Sequence, residues 1–198
     1  AFKVSDGRAS METGFHIWVK QPVVVHVHPV YPLVILSLLN SKEIISSLFP
    51  TGISYIEFST PGFSLTKKIS NLDSLDNLIF LENHGVIVSG LRFHECYQSI
   101  LDVNKKCEDY IRSNVAEFMS FKDFFSNYDR QKIPKHDKFF FPDEIVFKDS
   151  KGFLATKILS EYVRFISEQL GPLRYLKEVD VCYIQNMKFE INRGKKWK

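Results

Sequence analysis

The run Val23-Val24-Val25-His26-Val27-His28-Pro29 constrains this chain more than any other stretch. β-Branched residues suit the pleated, half-buried surface of a sheet. Proline closes the run because it cannot donate to a strand ladder. In an extended strand, side chains at i and i+2 leave the same face. His26 and His28 are therefore expected to project together from the end of a hydrophobic strand. Two imidazoles so placed can share one metal ion at roughly 2.0–2.1 Å each. The same spacing also suits two unrelated histidines near a strand end, and only residues elsewhere in the chain can decide between these readings.

The 198 residues are enough for one domain with a substantial core. Hydrophobic residues make up 44% and charged residues 25%, the balance of an ordinary globular protein. A formal net charge of +3 is too small to indicate nucleic acid. Much of the excess sits in Arg193-Gly194-Lys195-Lys196-Trp197-Lys198, which reads as a solvated end. The apolar stretch Leu33 to Leu39 is far shorter than a membrane span and is interrupted by Ser37. Cys96, Cys107 and Cys182 are an odd set without paired spacing, so reduced thiols in a cytoplasmic protein are expected. The chain opens on Ala1, in mid-pattern and without a signal peptide. It reads as a single domain over residues 1–198, and the mid-pattern start suits a fragment whose N-terminal segment is missing.

Strands and helices alternate along the chain, which points to an α/β or α+β class. Ser10 is a candidate N-cap, with Glu12 in the first turn where the helix dipole favours an anion. Met11, Phe15, Trp18 and Val19 then fall at helical spacing and are expected to face the core, with His16 packed among them. A buried helix is predicted from Tyr31-Pro32 to about Leu48. A strand follows over Ile53 to Phe58, and then a short helix through Leu65 and Ile69. Leu78–Leu81 and Val86–Val88 read as two strands joined by Glu82-Asn83-His84-Gly85, with Gly85 free to take a positive φ. A long helix is predicted over roughly 92–118, its apolar stripe formed by Phe93, Tyr97, Ile100, Leu101, Val103, Cys107, Tyr110 and Ile111. Residues 121–128 read as a short helical piece. The polar stretch 127–138 reads as a loop that leaves His136 on the surface. Glu144–Phe147 is expected to be a short strand. Phe153–Leu170 is expected to be an amphipathic helix ended by Gly171-Pro172. Residues 179–192 suit either a strand or a helix.

Glu12, His26, His28 and His84 can be considered as one constellation. Zinc sites that do chemistry take three protein ligands and keep a fourth position for water or substrate. Two histidines from one strand and a third from a later turn meet that count. A nearby glutamate that is not a ligand can move protons, while the ion polarises a carbonyl and stabilises an enediolate-like oxyanion. Spacing alone does not bring these groups together. A first-turn glutamate is also commonly no more than a dipole partner.

These segments, in this order, resemble the class II aldolase/adducin family, of which L-fuculose-1-phosphate aldolase is the best-known type. The matching stretches are Arg8-Ala9-Ser10-Met11-Glu12-Thr13-Gly14-Phe15-His16, Val24-Val25-His26-Val27-His28-Pro29 and Glu82-Asn83-His84-Gly85-Val86. Phe141-Pro142-Asp143-Glu144-Ile145-Val146-Phe147 also looks like a segment of some members. The resemblance implies an α/β fold, a three-layer α/β/α sandwich around a mixed, mostly antiparallel sheet. It implies that His26, His28 and His84 bind Zn2+ or another divalent metal, and that Glu12 is the acid/base. It implies a lyase acting on a small sugar or sugar phosphate, with epimerisation, dehydration or decarboxylation as alternatives at the same site. A non-catalytic, adducin-like interaction module is the alternative outside enzymes. It further implies a homo-oligomer, commonly a C4 tetramer with active sites between subunits, and neither nucleic acid nor membrane as partner.

The chain departs from the family pattern in three places. The glycine-rich phosphate-binding segments expected ahead of the glutamate have almost no room before it. A lone Ser10, between Ala9 and Met11, stands where the aldolase has a serine pair, and it is the one substrate-binding candidate. The stretch after His28 is shorter than in the aldolase, and neither Tyr31 nor Tyr55 takes the place of the aldolase's catalytic tyrosine.

Overall fold

The valine run forms a strand, β1 (Val23–Val27), at one end of a four-stranded sheet. The structure, a computed structural model, describes residues 12–130, 134, 136–147 and 154–187. In chain order the other elements are α1 (Thr13–Trp18), α2 (Val30–Leu36), α3 (Ser41–Leu48), β2 (Ile53–Ile56), α4 (Phe63–Ser70), β3 (Leu78–Leu81), β4 (Gly85–Gly90), α5 (Phe93–Asn114), α6 (Phe121–Asn127), α7 (Pro142–Phe147), α8 (Leu154–Leu170) and α9 (Glu178–Asn186). The sheet order is β1-β4-β3-β2. β1 and β3 each run antiparallel to β4, and β2 runs parallel to β3. The sheet is mixed and mostly antiparallel, as the family resemblance implies.

Strand alternation divides the core in two. Val23, Val25 and Val27 of β1, Leu78 and Phe80 of β3, and Val86 and Val88 of β4 face one side. There α2, α5 and α8 cover them. Val24, Ile79, Leu81 and Ile87 face the other side, against Phe15, Val19, Leu65 and Ile69 around α1 and α4. Helices on both faces complete the α/β/α sandwich. The chain from Tyr31 to Leu36 is wholly buried, and each leucine, valine or isoleucine there stabilises the fold by roughly 1.5–3 kcal/mol. A third cluster, Phe139, Ile145, Leu176 and Ile184, ties α7 to α9.

Several local expectations are corrected. The helix predicted over 31–48 is two helices, α2 and α3. Ser37 turns its hydroxyl back onto the Leu33 carbonyl at 2.8 Å. The break lets Leu39 N–H donate to Pro172 O at 3.0 Å and Arg174 N–H to Ser37 O at 2.7 Å. No local periodicity could announce a partner that far away in sequence. The strand expected over Glu144–Phe147 is instead the end of α7. Pro142 is tolerated in its first turn, and the Glu144 carboxylate accepts the Phe140 N–H at 2.7 Å. Residues 178–186 are helical. Trp18 is half-exposed and His16 is exposed, because among the described residues of this stretch Phe15 and Val19 are the ones that reach the core. On α5 the buried stripe is Cys96, Val103, Cys107 and Ile111, which leaves Phe93, Tyr97 and Leu101 exposed. The expected helix cap at Ser10 and the core contact of Met11 lie outside the described residues.

The site depends on close packing under its glutamate. A Cβ on Gly14 would stand 2.3 Å from Thr66 Oγ1, whose hydroxyl is held by Gly62 O at 3.0 Å. Only glycine lets α1 lie this close to α4, and α1 follows directly on Glu12. No helix among the described residues is long and apolar enough to cross a membrane.

Candidate metal centre

β1 and the β3–β4 turn carry the three histidines to one place. His26 pairs with Ile87 in the β1–β4 ladder and packs edge-on against Phe15 at 5.4 Å between ring centroids. His28 follows the end of the strand, just before Pro29 leads into α2. His84 closes the turn between β3 and β4 and is 2% exposed. That turn is pinned on all sides. Asn83 N–H donates to Leu36 O at 3.1 Å, and its side-chain amide donates to Arg174 O at 2.9 Å. Glu82 accepts from the Phe58 N–H at 3.0 Å and the Tyr55 hydroxyl at 3.2 Å.

The positive φ expected at Gly85 belongs to Asn83, at 53°, a conformation asparagine tolerates better than most residues. Gly85 is needed for a different reason. A Cβ there would stand 2.5 Å from Val27 O and 2.7 Å from His28 Cδ2. The missing side chain lets β4 start against β1 with the His28 ring in between.

The ring centroids of the three histidines form a near-regular triangle, with sides of 4.9, 4.9 and 5.1 Å. Their ligand atoms all lie within 4.8 Å of one another, and together they can hold a metal ion. His26 Nε2 and His28 Nε2 are 3.1 Å apart. Two nitrogens bound to one tetrahedral ion at 2.0–2.1 Å would lie about 3.4 Å apart. The far nitrogens explain which atoms face inward. His26 Nδ1 lies 2.9 Å from Val86 O, a carbonyl that can only accept. His28 Nδ1 lies 3.1 Å from Asp143 Oδ2. With both Nδ1 atoms donating, the neutral rings turn two lone pairs toward each other. A cation between them removes that repulsion. The donor set therefore fits a divalent metal. His84 Nδ1 is buried without a hydrogen-bond partner among the described residues.

Glu12 stands beside this triangle. Its Oε1 is 3.4 Å from His26 Nε2 and 3.5 Å from His84 Nε2. Burial alone would raise its pKa, but hydrogen bonds and charge from His26 and His84 hold the carboxyl well below the usual range. His84 is pushed down to about 4, first by burial and further by His28 and His26, against the pull of Glu12. A cavity of about 490 Å³ opens over the group, its walls including Val27, Pro61, Pro142, Asp143, Val146 and Ile184.

The structure thus brings together four of the five candidates, Glu12, His26, His28 and His84, while Ser10 lies outside the described residues. Tyr31 and Tyr55 are elsewhere. Tyr31 accepts the Phe121 N–H, and Tyr55 donates to Glu82. His136, expected on the surface, is half-buried and lies 2.6 Å from Glu161. Asp143 is not among the sequence candidates. Its only signal is its place in the Phe141–Phe147 segment, which carries no histidine and lies far along the chain from the others.

A family model described as Class II Aldolase and Adducin N-terminal domain matches residues 3–111. That stretch includes Glu12 and all three histidines but not Asp143. The uncharacterized oxidoreductase YuxG of Bacillus subtilis (strain 168) is 27% identical over 115 residues, which are 56% of this chain and 16% of that protein. The chain therefore spans about a sixth of that relative's length. Among solved structures, the N-terminal class II aldolase domain of a conserved protein from Thermoplasma acidophilum gives a TM-score of 0.47 at 24% identity, covering 52% of this chain and 48% of that one.

Two outcomes follow from this geometry. Gly85→Ala is expected to lower stability by about 1–3 kcal/mol and to weaken metal uptake by displacing His28. Urea denaturation and metal titration check this, and wild-type values in both would contradict it. The second concerns pH. His84 has a folded pKa below its unfolded value, so the unfolded chain takes up that proton first. Stability of the metal-free protein is then full above about 6.5 and is lost as pH falls toward about 4. Glu12, also depressed, adds a loss below 4.5. Denaturation of metal-free protein across this range is expected to follow that course, and His84→Gln is expected to flatten its upper part. A flat wild-type profile would contradict the assignment.

Proposed function

The chain belongs to the class II aldolase and adducin N-terminal domain family, and from that premise we propose a metal-dependent lyase. It would cleave or form a C–C bond in a small polyhydroxylated carbonyl compound, a sugar or sugar phosphate. His26, His28 and His84 would hold the divalent ion, zinc in the first instance. One observation carries the reading: three imidazoles converge on one point, with the Glu12 carboxylate 3.4 and 3.5 Å from two of them. A surface used only for protein contact would not require that convergence.

When bound, the ion would supply Lewis-acid polarisation of the substrate's carbonyl. In the cleavage direction the Glu12 carboxylate takes the proton of the hydroxyl β to that carbonyl. The C–C bond breaks, an aldehyde leaves, and the electron pair passes into the carbonyl group as an enediolate. Glu12 then returns the proton to the enediolate carbon. His26, His28 and His84 would fix the ion's position against the reacting oxygens, and the apolar walls from Val27, Pro61 and Val146 limit water. The cavity volume, about 490 Å³, falls in the range of small-molecule sites.

No lysine or arginine is found among the described residues lining the cavity. A substrate phosphate would thus meet no cationic side chain in this lining, and Ser10 lies outside the described residues. The panel used to test turnover therefore pairs each ketose phosphate with its unphosphorylated form, and product analysis separates aldol cleavage from epimerisation, dehydration or decarboxylation.

Glu12→Gln is expected to keep its metal and to lose about 10²–10⁴-fold in kcat on the best substrate. Metal analysis beside steady-state kinetics reads both. Turnover equal to wild type would remove Glu12 from the proton transfers.

A further inference from the structure

The three histidines differ in what supports them from behind. His26 Nδ1 meets a backbone carbonyl of its own sheet, Val86 O at 2.9 Å. His84 Nδ1 has no hydrogen-bond partner among the described residues. Among the described residues, only His28 Nδ1 of the three meets a carboxylate, Asp143 Oδ2 at 3.1 Å. Asp143 lies 115 residues further along the chain, outside the stretch matched by the family model. Both side chains are about three-quarters buried, at 25% exposure each.

Asp143 sits on a rigid support. α7, which carries it, is closed at its start by the bond from the Phe140 N–H to Glu144. Glu144 is also held by the Ser160 hydroxyl and by Arg164 Nη2, the latter at 3.0 Å. Ile145 packs with Leu176 and Ile184 in the cluster that joins α7 to α9. The carboxylate is therefore delivered by a packed element and not by a free loop.

We propose that Asp143 is a positioning residue that fixes His28 as the Nδ1–H tautomer and so presents its Nε2 to the metal. A carboxylate behind a ligating imidazole sets its tautomer and orientation and raises its basicity. The acceptor behind His28 is a carboxylate, unlike the carbonyl behind His26. The centre is then completed by a segment beyond the family-matched stretch, and a chain cut after residue 111 would keep its three ligands but leave His28 unsupported. The proposal rests on the metal reading above for its effect on affinity, but its effect on the tautomer of His28 is separate.

The test uses the full chain as wild type, Asp143→Asn, Asp143→Ala and His28→Ala. Zn2+ affinity is measured by chelator competition, and the ring nitrogens of metal-free protein by ¹⁵N NMR, with circular dichroism to confirm folding. Wild type is expected to show His28 protonated at Nδ1. Asp143→Ala is expected to bind zinc about 10–100-fold more weakly and to shift His28 toward the Nε2–H form. Asp143→Asn, which keeps an acceptor oxygen without the charge, is expected to fall between them. Wild-type zinc affinity and an unchanged Nδ1–H signal in folded Asp143→Ala would overturn the proposal. If wild type and His28→Ala are alike in failing to bind zinc, the metal reading fails. The NMR comparison still decides: a changed tautomer supports Asp143 as the group that positions His28, and an unchanged one overturns it.

Discussion

Two imidazole nitrogens facing each other at 3.1 Å are the constraint on which the rest depends. Each far nitrogen points at an oxygen, so where both rings are neutral the near nitrogens turn lone pairs toward each other. A metal ion between them would remove that repulsion. Glu12 lies where it would balance the ion's charge.

Much of the surrounding architecture keeps this arrangement from relaxing. The antiparallel register of β1 and β4 fixes His26 opposite Ile87. The missing side chain at Gly85 leaves space for the His28 ring. The β3–β4 turn that ends in His84 is tied to α2 through Leu36 and to the chain after α8 through Arg174. The missing side chain at Gly14 lets α1 settle on α4 beside Glu12. Apolar packing on both faces of the sheet stabilises each of these contacts, so a small change in backbone position would be felt at the centre.

The strands and the candidate histidines were legible because their signals are local, while the grouping with Glu12 and the kind of sheet came from the family resemblance. Valine-rich β1, the i, i+2 pair of histidines, and the Asn-His-Gly turn each follow from a few neighbouring residues. Three further features were not legible, for one shared reason: distant contacts override local pattern. The helix over 31–48 breaks at Ser37 to pair with residues 172–174. The α5 stripe turns so that Cys96 is buried while Phe93, Tyr97 and Leu101 are exposed, since packing against α2 and the sheet selects one face of several apolar ones. Asp143 reaches His28 only through the tertiary fold, and an aspartate in an aromatic segment carries no mark of that partnership. Gly85 was singled out correctly as special but for the wrong property, because glycine serves close approach as readily as a positive φ.

Anomalous diffraction from crystals grown with zinc tests the central claim most directly. One strong peak per chain is expected, about 2.0–2.1 Å from Nε2 of both His26 and His28 and from a ring nitrogen of His84, with the Glu12 carboxylate beside it. A structure in which these three rings point to separate places, or in which zinc settles elsewhere and leaves the triangle empty, would contradict the account.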